Sequence, residues 1–163
     1  MNLLNDFVKR YNGRPVDFDG AYGAECVDLF RRYCADLGLQ RTEGVGGAAE
    51  LFTRYESMPL LKAQFQRIAA GAGARPRAGD CVVWDKAPTY GHVAVCLFAD
   101  ADSIMVIEQM GYTKDDVIKS VDDRGKYLSP AEMRLNSAHA WLYSGYAGIL
   151  GWLRPVGVAV TVA

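Results

Sequence analysis

The sequence predicts an α+β fold in which N-terminal helices pack on a C-terminal antiparallel sheet. Three observations support this prediction. Apolar residues in the first half recur at helical spacing, whereas the second half contains short apolar runs separated by polar turns. Helices also precede strands rather than alternating with them. At 163 residues and 50% hydrophobic content, the chain is expected to form a single domain covering residues 1–163, with no linker to a separate second domain.

The elements follow in order along the chain. Helices are predicted near 3–11, 25–37, 47–56 and 59–69. Strands are predicted near 81–85, 92–98, 104–110 and 148–154, with a further helix near 129–143. The helix near 25–37 has the clearest apolar stripe, and Gly38 follows it as a C-cap. The stripe consists of Cys26, Leu29, Phe30, Tyr33, Cys34 and Leu37.

Cys26 falls in the first turn of that helix. The positive end of a helix dipole favours a thiolate, which is the nucleophilic form of cysteine. Cys26 is therefore a candidate nucleophile. The alternative is that Cys26 is only a small buried apolar residue, as Cys34 on the same stripe would be.

A base for this thiol must come from the two histidines of the chain, His92 and His139. His92 opens one predicted strand of a hairpin, and Glu108 lies near the far end of the other. The two side chains share a face of the sheet only if the register of the hairpin is even. A turn of three or five residues would give an even register, and a turn of two or four residues would not. Glu108 would then orient the imidazole.

His139 is the competing base. It follows the capping-box pattern of Ser129 to Glu132 and is predicted to lie on the helix near 129–143. A lone histidine on such a helix is more often at the surface or in a satisfied core position than in catalysis. We therefore favour His92 and expect replacement of His139 to have little effect.

The loop before Cys26 carries Asp17 and Asp19, and Asp28 follows on the helix. Alternating carboxylates in a loop suit a hard cation such as calcium, which takes oxygen ligands. The alternative is an exposed, solvated acidic turn.

The net charge of −1 argues against nucleic acid as a partner and offers no polybasic membrane patch.

The four cysteines, Cys26, Cys34, Cys81 and Cys96, contain no C-x-x-C pair, so structural zinc is not expected. A disulfide framework is not expected either, because a free thiolate at Cys26 leaves an odd number of cysteines. The first eleven residues lack the basic start and continuous apolar core of a signal peptide, and no run is long enough to span a membrane.

Four segments, in order, resemble the CHAP domain, a papain-like cysteine peptidase or amidase of phage endolysins and bacterial cell-wall hydrolases. They are Asp17-x-Asp19 with Cys26-x-Asp28-Leu29, then Ala78-Gly79-Asp80-Cys81-Val82-Val83-Trp84, then Gly91-His92-Val93-Ala94-Val95, and finally Ile107-Glu108-Gln109. The resemblance implies a papain-like fold and a catalytic triad of Cys26, His92 and Glu108.

The resemblance also implies structural calcium, bound by the side chains of Asp17, Asp19 and Asp28 and by the backbone carbonyls of Ala21 and Gly23. Two positions depart from the family pattern: Met110 replaces an Asn, and Glu25 replaces a Gln that precedes the nucleophile. Because an ionised carboxylate cannot donate to an oxyanion, Tyr22 becomes the candidate second donor beside the Cys26 backbone N–H.

By this resemblance the chain is expected to be a peptidoglycan hydrolase that cuts amide bonds, with an endopeptidase favoured over an N-acetylmuramoyl-L-alanine amidase. The alternatives are an amidase of a small cytosolic amide and a non-catalytic, calcium-dependent wall-binding module. The expected partner is bacterial peptidoglycan, with no nucleic acid and no membrane, and the chain is expected to be a monomer. It would be made in the host cytoplasm and reach the wall through a holin or in a virion.

Overall fold

A computed structural model describes residues 2–21, 23–85, 90–109 and 137–160. The helices are α1 (Leu3–Tyr11), α2 (Cys26–Asp36), α3 (Glu50–Thr53) and α4 (Pro59–Gln64), and a short 3-10 helix covers Tyr55–Ser57. The strands are β1 (Phe65–Ala69), β2 (Cys81–Trp84), β3 (His92–Ala99), β4 (Ser103–Glu108), β5 (His139–Ser144) and β6 (Ile149–Pro155).

The six strands form one sheet in the order β1-β6-β2-β3-β4-β5, and every neighbouring pair is antiparallel. Helix α2 contacts β3, the central strand that begins with His92. The predicted α+β class, with N-terminal helices on an antiparallel sheet, is confirmed.

Both faces of the central strands are buried, which explains why all four residues of β2 are apolar and buried. One face packs with the helices and includes Val83, Val93 and Ile107 together with Leu29 and Phe30 of α2. The opposite face forms a second apolar cluster of Val82, Trp84, Ala94, Cys96, Ile104, Val106 and Trp152. His92 alternates with Val93 and therefore points toward the second face.

Two strands replace predicted helix. Phe65–Ala69, predicted as the end of a helix near 59–69, is β1, which pairs along its whole length with β6. His139–Ser144, predicted within the helix near 129–143, is β5, which pairs with β4. Hydrogen bonds to partners distant in sequence outweigh the local pattern in both cases. Of the rest of that second prediction, residues 137–138 are not helical, and residues 129–136 lie outside the described residues.

The helix predicted near 47–56 is also shorter than expected, because the chain forms only α3 and the separate 3-10 turn there. The strands predicted near 81–85, 92–98, 104–110 and 148–154 are present as β2, β3, β4 and β6, although Met110 lies outside the described residues. Across the described ranges, no helix has both the length and the apolar character needed to cross a bilayer.

Candidate active site

Helix α2 places Cys26 at its first residue. Glu25 precedes it in an extended conformation, and its backbone N–H donates to the Asp28 carboxylate at 2.9 Å, which closes the start of the helix. Cys26 is half-buried, whereas the other three cysteines are buried and all four are free. Burial raises the pKa of Cys34 and of Cys96 to about 12, so those thiols keep their protons. Cys26 is thus the accessible thiol.

The Cys26 side chain lies beside the imidazole of His92 and raises the pKa of that histidine. His92 is 4% exposed, and its Nε2 lies 2.7 Å from Oε2 of Glu108. Burial lowers the pKa of His92, but the interactions with Cys26 and Glu108 outweigh burial and raise that pKa to about 9. The structure therefore brings the three predicted residues into one chain of contacts, with the imidazole in the middle.

Glu108 is 1% exposed and has three polar neighbours. Besides His92, the Tyr143 hydroxyl donates to Oε2 at 2.6 Å, and Nε2 of His139 lies 3.5 Å from Oε1. Burial raises the pKa of Glu108, but the contacts with His139, His92 and Tyr143 outweigh it and hold that pKa at about 2. The carboxylate is therefore ionised at neutral pH.

A β-bulge brings His92 and Glu108 to the same face of the sheet. Near the turn Ala99 pairs with Ile104, which leaves four residues in the turn and would put the two side chains on opposite faces. The register then shifts between Cys96 and Phe98, leaving Leu97 without a partner. On the side of the bulge away from the turn the register is even, so His92 and Glu108 share a face. Glu108 lies diagonally across from His92.

Two further residues shape the site and were not predicted to do so. The Trp84 ring lies 5.4 Å from the His92 ring and 5.2 Å from the Tyr143 ring, which covers the imidazole with an apolar surface. Tyr143 lies on the unpredicted strand β5. His139 lies on the same strand and contacts Glu108, so the prediction of a helix around His139 is wrong.

Gln109 ties the end of β4 to the segment before α2. Its Oε1 accepts from the Val16 N–H at 2.7 Å, and its Nε2 donates to the carbonyl oxygens of Val16 at 2.7 Å and of Glu25 at 2.9 Å. Gln109 is fully buried, so these bonds are shielded from water. They fix the strand that carries Glu108 relative to the helix that carries Cys26.

The three predicted metal ligands also come together. Carboxylate oxygens of Asp17, Asp19 and Asp28 lie within 4.8 Å of one another, with Asp28 buried and the other two exposed. Burial raises the pKa of Asp28, and the charges of Asp19 and Asp17 add to that rise, although backbone N–H groups of Glu25 and Phe18 oppose it.

This donor set fits a hard cation, because three carboxylates that repel one another are all oxygen ligands. Part of the negative charge is already balanced, since Arg31 lies 3.2 Å from Asp19. The proposed carbonyl ligands belong to Ala21 and Gly23, on either side of Tyr22, which lies outside the described residues.

Comparison with known proteins gives a family and a fold. The family model described as the CHAP domain matches residues 15–110. The chain is similar to Endolysin PlyTW of Staphylococcus phage Twort, with 26% identity over 123 residues, which is 67% of this chain and 24% of that protein. It is also similar to a D-alanyl-L-alanine endopeptidase of Streptococcus phage B30, with 28% identity over 100 residues, 58% of this chain and 21% of that protein. The chain thus spans about a quarter of the length of these relatives or less.

Among solved structures, the crystal structure of Ly7917 matches with a TM-score of 0.56 and 18% identity, covering 94% of this chain and 61% of that one. The structure of Ly7917 with the hydrolyzing product of MDP matches with a TM-score of 0.57 and 17% identity, covering 96% and 62%. At these identities the likeness concerns the fold. It agrees with the papain-like arrangement of a cysteine helix against an antiparallel sheet.

Proposed function

The chain belongs to the CHAP domain family, and from this premise we propose that it is a peptidoglycan hydrolase that cleaves amide bonds of the bacterial cell wall with Cys26 as nucleophile. The observation that carries the proposal is the continuous contact from the accessible Cys26 thiol through His92 to the buried carboxylate of Glu108. The same three residue types in the same order of contact serve nucleophile, base and orienter in acyl transfer.

In the proposed reaction, His92 accepts the proton of Cys26 and holds the thiolate as an ion pair. The thiolate attacks the carbonyl carbon of the amide, and the resulting tetrahedral intermediate collapses to a thioester as His92 protonates the leaving amine. His92 then removes a proton from water, which hydrolyses the thioester and frees Cys26. Glu108 stays ionised throughout and stabilises the imidazolium, because its pKa of about 2 lies far below that of His92.

The developing oxyanion requires donors that the ground state does not use. The backbone N–H of Cys26 is the first, since it lies at the start of α2 where N–H groups have no helical partner. Tyr22 remains our proposal for the second. Tyr22→Phe would reduce the rate of lysis without changing the pH dependence if its hydroxyl acts there.

An endopeptidase is the favoured activity. One relative bears that name, and the other is named only as an endolysin. Cleavage between muramic acid and L-alanine is the second candidate, because the same triad would serve it. We further propose bacterial peptidoglycan as the macromolecular partner, without nucleic acid or membrane, and the chain acting as a monomer.

We also propose that Asp17, Asp19 and Asp28 bind a structural calcium ion, with the carbonyl groups of Ala21 and Gly23 completing the set. Asp28 supports this role because it already joins the acidic loop to α2. Its carboxylate accepts from the backbone N–H of Phe18 at 3.2 Å and of Glu25 at 2.9 Å. A cation in the loop would fix the segment before the nucleophile. The cation would neutralise these carboxylates and take no part in the reaction.

The proposed function is tested by adding the purified chain to cell walls of several bacteria and following turbidity, with mass spectrometry of the released fragments. New N-terminal amines within stem peptides or cross-bridges would support the endopeptidase, and free L-alanine amines on peptides released from muramic acid would support the amidase. Wall binding without any new amine would favour the non-catalytic module. Turnover of small amides without wall cleavage would favour the small-amide alternative.

A further inference from the structure

Strand β5 contributes two side chains to the carboxylate of Glu108, one to each oxygen. Tyr143 donates its hydroxyl to Oε2, the oxygen that also contacts His92, at 2.6 Å. His139 approaches Oε1 at 3.5 Å. The matched family segment ends at residue 110, before this strand begins. The triad therefore has neighbours that the family match does not assign.

Pairing between β4 and β5 places the side chains of Tyr143 and His139 on the face of the sheet that carries Glu108. Glu108 pairs with His139 and Ile104 pairs with Tyr143, so both β5 residues share a face of the sheet with Glu108. Tyr143 must reach along the strand to Oε2, and its ring is supported by Trp84 at 5.2 Å. Trp84 contacts the His92 ring as well, which makes one apolar wall behind both partners of the carboxylate.

The donor in the Tyr143 contact and the hydrogen on Nδ1 of His139 follow from chemistry. Burial and the neighbouring Glu108 carboxylate raise the pKa of Tyr143, so its hydroxyl keeps the proton and is the donor. Nδ1 of His139 lies 2.8 Å from the carbonyl oxygen of Ser137, which can only accept, so Nδ1 carries a hydrogen. An approach of Nε2 to a carboxylate is favourable when Nε2 carries a hydrogen as well.

A buried carboxylate with a single partner can rotate about its last torsion angle, which is broad and roughly two-fold. The Tyr143 hydroxyl on Oε2 and the His139 ring beside Oε1 restrict that freedom. We propose that Tyr143 is a positioning residue for Glu108, and that its hydroxyl, together with His139 at the other oxygen, holds the carboxylate in the orientation that binds His92. This inference deepens the proposed function and rests on it for the role of the triad.

The first test compares Tyr143→Phe with Tyr146→Phe. Tyr146 is the matched control, because it is also half-buried and also donates its hydroxyl, but to the carbonyl oxygen of Asp100 in the hairpin turn. The readout is the second-order rate of Cys26 alkylation by iodoacetamide at pH 7, which needs no wall substrate. Cys26 is the accessible thiol, so the other cysteines do not interfere.

Losing the Tyr143 hydroxyl is expected to slow Cys26 alkylation about five- to tenfold, the scale of one typical hydrogen bond, because the hydroxyl acts on the thiolate only through Glu108 and His92. A misoriented Glu108 stabilises the imidazolium of His92 less, and the thiolate population falls. Tyr146→Phe is expected to alkylate within twofold of wild type. Equal rates for all three proteins would overturn the proposal. Tyr143→Phe keeps the ring against Trp84, and a melting curve checks that it is folded.

The second test separates positioning from a general structural role. Tyr143→Phe is repeated in the Glu108→Gln background, where a residue that acts through Glu108 has nothing left to position. The second substitution is therefore expected to change the alkylation rate by less than twofold there. A five- to tenfold loss in both backgrounds would mean that Tyr143 acts independently of Glu108, and the proposal would fail.

His139 provides a third comparison through a conservative variant. His139→Gln keeps an N–H donor near the place of Nε2, whereas His139→Ala removes it. We expect His139→Gln to retain more of the alkylation rate than His139→Ala, and the reverse order would contradict the two-sided arrangement. If wild type alkylates as expected but releases no wall fragments, the proposed function fails while the positioning of Glu108 stands.

Discussion

Gln109 donates a hydrogen bond from Nε2 to the backbone carbonyl of Glu25 at 2.9 Å. This bond connects the residue after the candidate orienter, Glu108, to the residue before the candidate nucleophile. The two residues are 84 positions apart in sequence. The distance between Cys26 and the His92–Glu108 pair therefore depends on a side chain that takes no part in the proposed chemistry.

Replacing Gln109 with Leu is expected to lower both stability and lysis. The carbonyl oxygen atoms of Val16 and Glu25 would lose buried donors, which costs about 1–3 kcal/mol each when unsatisfied. Gln64 is the matched control, since it also bonds one backbone N–H and two carbonyl groups, but in a more exposed place. Gln64→Leu should leave the lysis rate per folded molecule unchanged. Turbidity gives the lysis rate, and a denaturant titration gives the folded fraction by which that rate is divided. Equal losses in the two variants would contradict the role of Gln109.

Cys26→Ala and His92→Ala are each expected to reduce lysis at least a thousandfold while leaving the fold intact, because nucleophile and base act as one unit. Cys34→Ala is the control. It removes a buried thiol from the apolar stripe of the same helix and should cost stability but not the reaction. Turbidity of wall suspensions gives the rates. Lysis within tenfold of wild type in either site variant would remove these residues from the mechanism.

The rate of lysis should fall as the pH rises through about 9. His92 must hold a proton to act as acid toward the leaving amine, and its pKa is raised to about 9, so the proton is present below that pH and lost above it. Glu108→Gln removes a negative neighbour that raises this pKa, so the alkaline limb should move to lower pH. The measurement is the initial lysis rate from pH 5 to 10. A limb that stays in place would show that Glu108 does not set the ionisation of His92.

Removal of calcium should lower both the melting temperature and the lysis rate, and added calcium should restore both. A ligand that binds only the folded state stabilises it by about 2.7 kcal/mol at a hundredfold excess over its Kd. Magnesium should restore little, because it demands tighter octahedral geometry.

Asp19→Ala should reproduce the effect of the chelator and abolish the response to calcium. Asp36→Ala is its control, as Asp36 also pairs with an arginine, Arg10, at the surface but lies away from the loop. A melting temperature that a chelator does not change would identify the loop as an ordinary acidic turn.

The fold was predictable where local pattern and final structure agree. The stripe beginning at Cys26 and the runs that became β2, β3, β4 and β6 have the periodicity of their elements. Strand β5 has no such signal, because it lies at the sheet edge and exposes most of its side chains, including Trp141 and Leu142. Only pairing with β4 makes it a strand.

The site was predictable as a set of residue types but not as a set of contacts. Cys26, His92 and Glu108 could be chosen because few residues in the chain offer a thiol, an imidazole or a strand-borne carboxylate. The contacts of Gln109, Tyr143 and His139 depend on which strands become neighbours, and that information is absent from local spacing. The family match ends at residue 110 and therefore does not include Tyr143 or His139.

The bulge at Leu97 makes the effect of losing one residue from the hairpin depend on where that residue lies. Between the pairing of Val95 with Ile107 and that of Ala99 with Ile104, β3 has one residue more than β4, so deleting Leu97 would keep both pairings and leave a regular ladder. Deleting Ala94 instead would shift His92 by one position against β4 and turn it to the face opposite Glu108. An engineered shortening of β3 should therefore be made at Leu97 and not between His92 and the bulge.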